Sequence, residues 1–189
     1  MIKVALKEWA VVCDLLLEGR LALLLRKGGI LESGGPGVFE LEHPRFALYP
    51  TWVHQNPEMI KPQHRQRIET SDEPETIVIR GIGQAARIWQ VPDREAIERL
   101  DDLHCWTALQ LDMRFNYKPD RPLYLLAVRA CRLARPRSIT NNPDYVGCRS
   151  WVHLREEDAI EETGATPVVD DEAFGKLVAR IDDAMKQSD

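Results

Sequence analysis

Cysteine is scarce in this chain and carries no metal signature. Cys13, Cys105, Cys131 and Cys148 are the only four among 189 residues, and no C-x-x-C pair occurs. That excludes the usual zinc-ribbon spacings and fits small buried thiols in a reducing compartment. Long apolar runs are missing too. None approaches the roughly 18 residues that cross a bilayer. Lys3, Lys7 and Glu8 interrupt the apolar pattern at the start, which has no small-residue cleavage site, so no signal peptide is expected. A soluble, cytoplasmic protein is the expectation. No phosphate-binding loop is present: Arg26-Lys27-Gly28-Gly29 offers cations and glycine backbone but lacks the G-K-[ST] ending, and there is no G-x-G-x-x-G. A tight turn is the ordinary reading of that segment. The R-E-x-x-E-E helix of nucleoside diphosphate hydrolases is also absent, since Arg155-Glu156-Glu157 comes too late and falls short of it. Internal repeats and low-complexity tracts are lacking.

Charge, by contrast, is abundant and unevenly placed. Between Arg114 and Arg137 stand seven cations (Arg114, Lys118, Arg121, Arg129, Arg132, Arg135, Arg137) against Asp120 alone, interleaved with Phe115, Tyr117 and Tyr124. From Glu156 to Asp189 eleven acids face three cations, a net of −8 in a chain of −5, so residues 1–155 carry about +3. A basic, aromatic-studded body followed by an acidic tail points to a polyanionic partner.

The hydrophobic pattern predicts elements of both kinds. Ala5, Leu6, Trp9, Val12, Cys13, Leu16 and Leu17 recur at helical spacing over residues 4–18, although the start also reads as a strand. Arg20–Arg26, Val38–Glu42 and Arg45–Tyr49 are of strand length, and Pro57 opens a weak helix towards Ile68. Thr76–Arg80 and Ala85–Val91 bracket Gly81-Ile82-Gly83 as a hairpin or bulged pair. A helix follows Pro92-Asp93, Leu123–Leu133 and Tyr145–Leu154 read as strands, and Asp170–Met185 as a helix. Helices flanking a mixed set of strands predict an α+β fold, a single compact domain around a mixed β-sheet with a C-terminal helix. The expected division is an α+β core over residues 1–155 and an acidic segment with its helix over 156–189.

Three constellations could carry chemistry. On a strand, Glu40 and Glu42 point to one face about 7 Å apart, and two such carboxylates can hold Mg²⁺ or Mn²⁺ for attack on a phosphodiester. His43, His54 and Lys61 follow and could orient water or phosphate, so these five form the candidate catalytic set. The surrounding pattern departs from the PD-(D/E)xK nucleases, because Glu42 is followed by His43-Pro44. A solvent-facing edge strand explains the same residues. The second constellation is the basic segment. Arg114, Lys118, Arg121, Arg129 and Arg132 suit phosphate, with Tyr117 and Tyr124 for base stacking. Arg129 interrupts an apolar strand face, so it needs a carboxylate or a ligand; pairing of these arginines with the acidic tail is the competing explanation. Third, Trp52 lies in a loop beside Tyr49, Pro50 and His54 and could line a base-stacking pocket, though core packing accounts for it as well. His104-Cys105 does not form a nucleophile–base pair by adjacency, since the two face different ways on a helix.

The blocks ALKEWAVV, LLLRKGGI, ELEHPRFALYPTWVHQ, LHCWT, RPLYLLAVR and GCRSWV, in this order from Ala5 to Leu154, resemble a bacterial family known only as a domain of unknown function. The resemblance implies a bacterial single-domain protein and supplies no catalytic residue. Chemistry then leads to the expectation of a nucleic-acid-associated protein, with a metal-dependent phosphodiesterase or nuclease on Glu40 and Glu42 as its catalytic form. The alternatives are a non-catalytic RNA- or modified-base-binding module and a partner-binding domain whose basic face is covered by the acidic tail.

Overall fold

The computed structural model describes residues 1–27, 43–69, 72–147 and 150–186. Its first element is a strand. β1 (Val4–Trp9) runs directly into α1 (Ala10–Leu17), so the helical period expected over residues 4–18 begins only at Ala10. The reason is tertiary. β1 lies between two other strands, with Ala5 facing one hydrophobic cluster and Leu6 the other. Burial on both faces erases the polar alternation by which a strand is recognised.

β2 (Leu23–Arg26) and β3 (Arg45–Thr51) come next, followed by two short 3₁₀ turns at Pro57–Met59 and Pro62–Arg67 where a weak helix was expected. β4 (Thr76–Gln90) is one continuous strand of 15 residues, not a hairpin, and its pairing with β5 shifts register between Ile79 and Gly81 and between Ala85 and Arg87, as the bulged alternative expects. α2 (Arg94–Glu98) starts at Asp93, whose carboxylate accepts from the Ala96 amide at 2.8 Å, the N-cap arrangement. α3 (Ala108–Asn116) is capped by Thr107. β5 (Tyr124–Thr140) extends well past the expected Leu133, whereas only Trp151–His153 (β6) of the expected 145–154 strand is extended. β7 (Thr166–Pro167) and α4 (Asp171–Met185) complete the chain. The expected strand at Val38–Glu42 lies outside the described residues.

The strands form one mixed sheet in the order β2-β5-β4-β3-β1-β6, with β7 against β5; β1 and β3 are parallel and the other pairs antiparallel. It curls into a half-barrel flanked by helices, an α+β architecture. Phe46 and Leu48 face the larger core with α1, while Ala47 and Tyr49 face the smaller one with Tyr145 and Val152. α4 also belongs to the larger core, through Phe174, Ile181 and Ala184. Its acids meet cations of the sheet: Asp171 pairs with Arg129, and Asp182 with Arg87 and the Trp89 indole; Arg99, at the end of α2, donates to the Ala184 carbonyl at 2.7 Å.

The glycines in β4 let a helix and a neighbouring strand approach it closely. A Cβ at Gly81 would come within 2.2 Å of Leu17 Cδ2 on α1 and 2.6 Å of the Cys131 carbonyl oxygen on β5. Gly81 thus permits close approach of helix to sheet, and the glycine pair that suggests a turn in the sequence is a packing device. Gly81→Ala is expected to lower stability by about 1–3 kcal/mol in urea unfolding. Gly81→Ala/Leu17→Ala should not recover it, because the clash with the β5 carbonyl remains. Full recovery in the double variant would place the constraint on the Leu17 side chain alone.

Candidate functional site

The parallel strands β1 and β3 end side by side, Glu8 beside Pro50 and Trp9 beside Thr51. Where they end, the last residue of β2 and the final turn of α3 close around a cleft of about 330 Å³. Its walls hold three cations (Lys7, Arg26, Arg114) and two carboxylates (Glu8, Glu73), together with Thr51, His54 and the Trp9 ring. That volume is within the range of small-molecule sites.

These charges are buried and held by one another. The Lys7 side chain is 6% exposed and that of Glu73 9%, with Lys7 Nζ 3.6 Å from Glu73 Oε1. The same ammonium donates to the Tyr145 carbonyl at 2.8 Å and lies 5.2 Å from the centre of the Tyr49 ring. Glu73 in turn accepts from the Thr51 hydroxyl and, at 3.3 Å, from the Asn141 amide. On the other side of β1, Arg26 Nη2 reaches Glu8 Oε2 at 2.8 Å and the Lys7 carbonyl at 2.8 Å, while Glu8 Oε1 accepts from the Trp9 amide at 3.0 Å. Successive residues of a strand point to opposite faces, so the adjacent Lys7 and Glu8 each find a partner on their own side. Burial lowers the Arg114 pKa against the pull of Glu8, with Arg26 reinforcing the drop, yet a guanidinium stays protonated at neutral pH. Lys27 Nζ donates to the carbonyls of Arg114 and Phe115 at 2.9 and 2.7 Å, fixing the last turn of α3 at the cleft.

Chemically, such a cleft offers donors and acceptors together on fixed supports. It suits a small planar polar group with an attached anion. No activated thiol accompanies it among the described residues. Burial and the nearby Glu8 push the Cys13 thiol well up, and burial pushes Cys105 up to about 12. His104, buried with the Lys61 ammonium nearby, is held down at about 4 and so is neutral.

The structure scatters the candidates read from the sequence. His54 and Arg114 line the cleft. Glu40 and Glu42 lie outside the described residues, and among the described residues no three His, Cys, Asp or Glu side chains are placed to hold a metal ion. His43 is half-buried, its ring edge-on to Trp151 at 5.2 Å. Lys61 is tied to Asp101 and the His104 carbonyl, away from the cleft. Trp52 packs against the smaller core. Tyr124 is buried beside Arg26, in register across β2 and β5. Tyr117, Lys118 and Arg121 are exposed just past α3. Arg129 has the carboxylate its position demanded, Asp171, with Phe174 beneath its guanidinium. Arg132 donates to the Leu17 carbonyl at 2.8 Å and caps the end of α1. Sequence reasoning missed Lys7, Glu8, Arg26, Thr51 and Glu73; adjacent opposite charges inside an apolar run at residues 4–17 were the available signal.

A larger hollow, about 740 Å³, lies between Ala134–Arg137 and the segment Glu157–Thr163. Its charged residues are exposed, and Arg137 is held by the Glu157 carbonyl at 2.5 Å. Of the two, the cleft is the one whose lining charges are buried among the described residues.

A match over residues 5–180 then decides the family, described as Domain of unknown function (DUF1802). The chain belongs to that family. The match continues beyond Leu154, where the resemblance seen in sequence stopped, and takes in most of α4, whose apolar face is part of the core. Among curated proteins none matches the chain. Of solved structures, ASCH from Zymomonas mobilis is similar at 14% identity, covering 82% of this chain and 89% of that one with a TM-score of 0.45. Two point mutants of the same protein are similar at 13% and 14% identity, covering 93% of this chain and 96% and 94% of theirs, with TM-scores of 0.44 and 0.42. Likenesses at these identities leave the function of this DUF1802 chain to its own site.

Removing one member of a buried ion pair strands the other. Lys7→Met is expected to cost about 3–5 kcal/mol in urea unfolding, and adding Glu73→Gln should restore more than half of the loss. Equal losses in the single and double variants would show that Lys7 matters for packing rather than for its pairing with Glu73.

Proposed function

We propose that the protein binds single-stranded nucleic acid without cleaving it, taking one unstacked nucleotide into the cleft between β1, β3 and α3. One observation carries the reading: three cations and two carboxylates converge, largely desolvated, on a cleft of about 330 Å³. A base edge presents neighbouring donors and acceptors, and carboxylate, hydroxyl and ammonium groups answer both. Its phosphate suits Arg26 and Arg114, whose guanidinium groups recognise phosphate oxygens in a planar fork. A duplex hides these base edges, so a single strand is the better fit.

Among the arginines of the basic segment, Arg114 is the one this reading uses, because it lines the cleft; Arg129 and Arg132 do not, and are held by Asp171 and the Leu17 carbonyl.

Fluorescence anisotropy with labelled single-stranded RNA, single-stranded DNA and duplex DNA at low and moderate salt tests the proposal. Binding should favour a single strand, weaken with salt and be indifferent to EDTA. Arg114→Gln should weaken it about tenfold or more and reduce the salt slope by about one. The reading fails if none of the three probes binds, or if Arg114→Gln has no effect while Arg135→Gln/Arg137→Gln abolishes binding. Shorter products appearing only with Mg²⁺ or Mn²⁺ would overturn the non-catalytic reading and bring back the Glu40 and Glu42 pair.

A further inference from the structure

The outward face of α3 is apolar where a surface helix is normally polar. Leu109, Met113 and Tyr117 are 51%, 47% and 54% exposed. They recur every fourth residue, so they form one stripe along the helix and its C-terminal cap. Gln110 and Leu111 face inward and are buried. The stripe leads towards the cleft, because Tyr117 follows the cleft-lining Arg114 by a single turn.

Cations border its cleft end. Lys118 adopts a left-handed backbone (φ 47°), and its carbonyl accepts the Arg121 amide at 2.9 Å, so a tight turn folds Arg121 back towards Lys118. Lys118 Nζ sits 5.1 Å from the centre of the Tyr117 ring. Arg114 and Lys27 belong to the same corner. Among the described residues of α3 and the turn after it, Asp112 is paired with Arg94 and Asp120 stands beside Arg114, Lys118 and Arg121. An aromatic ring and a polarizable thioether beside such an excess of positive charge complement a strand whose bases are apolar on their faces and whose backbone is anionic.

We infer that the Leu109–Met113–Tyr117 face of α3, with Lys118 and Arg121, is a stacking platform for the nucleotides that flank the one in the cleft. The inference rests on the cleft reading and extends it from one nucleotide to a short single strand. It commits to nucleic acid rather than a second protein surface because of the charge at the stripe's end.

The test compares two probes on the full chain: a nucleoside 5′-monophosphate by calorimetric titration, and a labelled single-stranded octamer of the same base by anisotropy. The octamer should bind more tightly than the monophosphate. Met113→Ala/Tyr117→Ala, at exposed positions, should weaken the octamer about tenfold or more and leave the monophosphate unchanged. Tyr117→Phe should retain octamer binding, since the ring face is kept. The inference is overturned if the octamer gains nothing over the monophosphate, or if the double variant leaves octamer binding intact. It is overturned as well if sedimentation shows a dimer that the same substitutions dissolve, which would make the stripe an interface between two copies. Binding of neither probe would sink the cleft reading itself, whereas loss of the length advantage alone would remove only the platform.

Discussion

The cleft depends on placing two opposite charges side by side in a buried strand. Lys7 and Glu8 occupy the end of β1 beside β3, each 7% exposed and so largely stripped of water. Desolvation of such groups costs several kcal/mol each unless partners are supplied. Apart from the Trp9 amide on Glu8, the partners come from elsewhere in the chain. Glu73 precedes β4, Arg26 ends β2, and the Tyr145 carbonyl lies in the turn before β6. The charges therefore recruit the segments that form the walls, and the cleft is the space those partners leave between them. A buried ion pair is a poor source of stability beside an apolar contact of the same size. Its retention at a cavity is better explained by the ligand such groups can recognise.

The acidic tail has a structural task that its composition alone does not reveal. Phe174, Ile181 and Ala184 enter the main core, and Asp171 and Asp182 neutralise Arg129 and Arg87 of the sheet. Pairs with one exposed member are worth little individually, so the apolar face of α4 supplies most of its attachment. The basic run from Arg114 to Arg137 is thereby divided. Arg129, Arg132 and Arg137 are engaged by α4, α1 and the Glu157 carbonyl, and the first cations of the run remain at the cleft and the surface beside it.

How much of this was legible in the sequence follows from what each signal reports. Composition and element order were enough for an α+β fold with a mixed sheet, and the need of Arg129 for a carboxylate was visible from its apolar strand neighbours. The first strand was obscured because Ala5 and Leu6 are buried on opposite faces while Lys7 and Glu8, polar in composition, are buried as well. The pattern then resembles a helical stripe. Gly81 and Gly83 suggested a turn because a sequence does not show a helix pressing on a strand. The cleft was illegible for a related reason: Lys7, Thr51 and Glu73 are far apart in the chain, and they meet through the β1–β3 pairing and the placement of the segment before β4. Of the candidates that fall among the described residues, His54 and Arg114 alone line it, since the others were chosen by local spacing.

The cleft and the larger hollow by Arg135 and Arg137 are two different places for a polyanion on one molecule. Hydrogen–deuterium exchange of the full chain with and without saturating single-stranded RNA distinguishes them directly. The account predicts slowed exchange at residues 7–9, 51–54 and 114–118, with no change at 134–137 and 157–163. Protection confined to the latter two segments would contradict it.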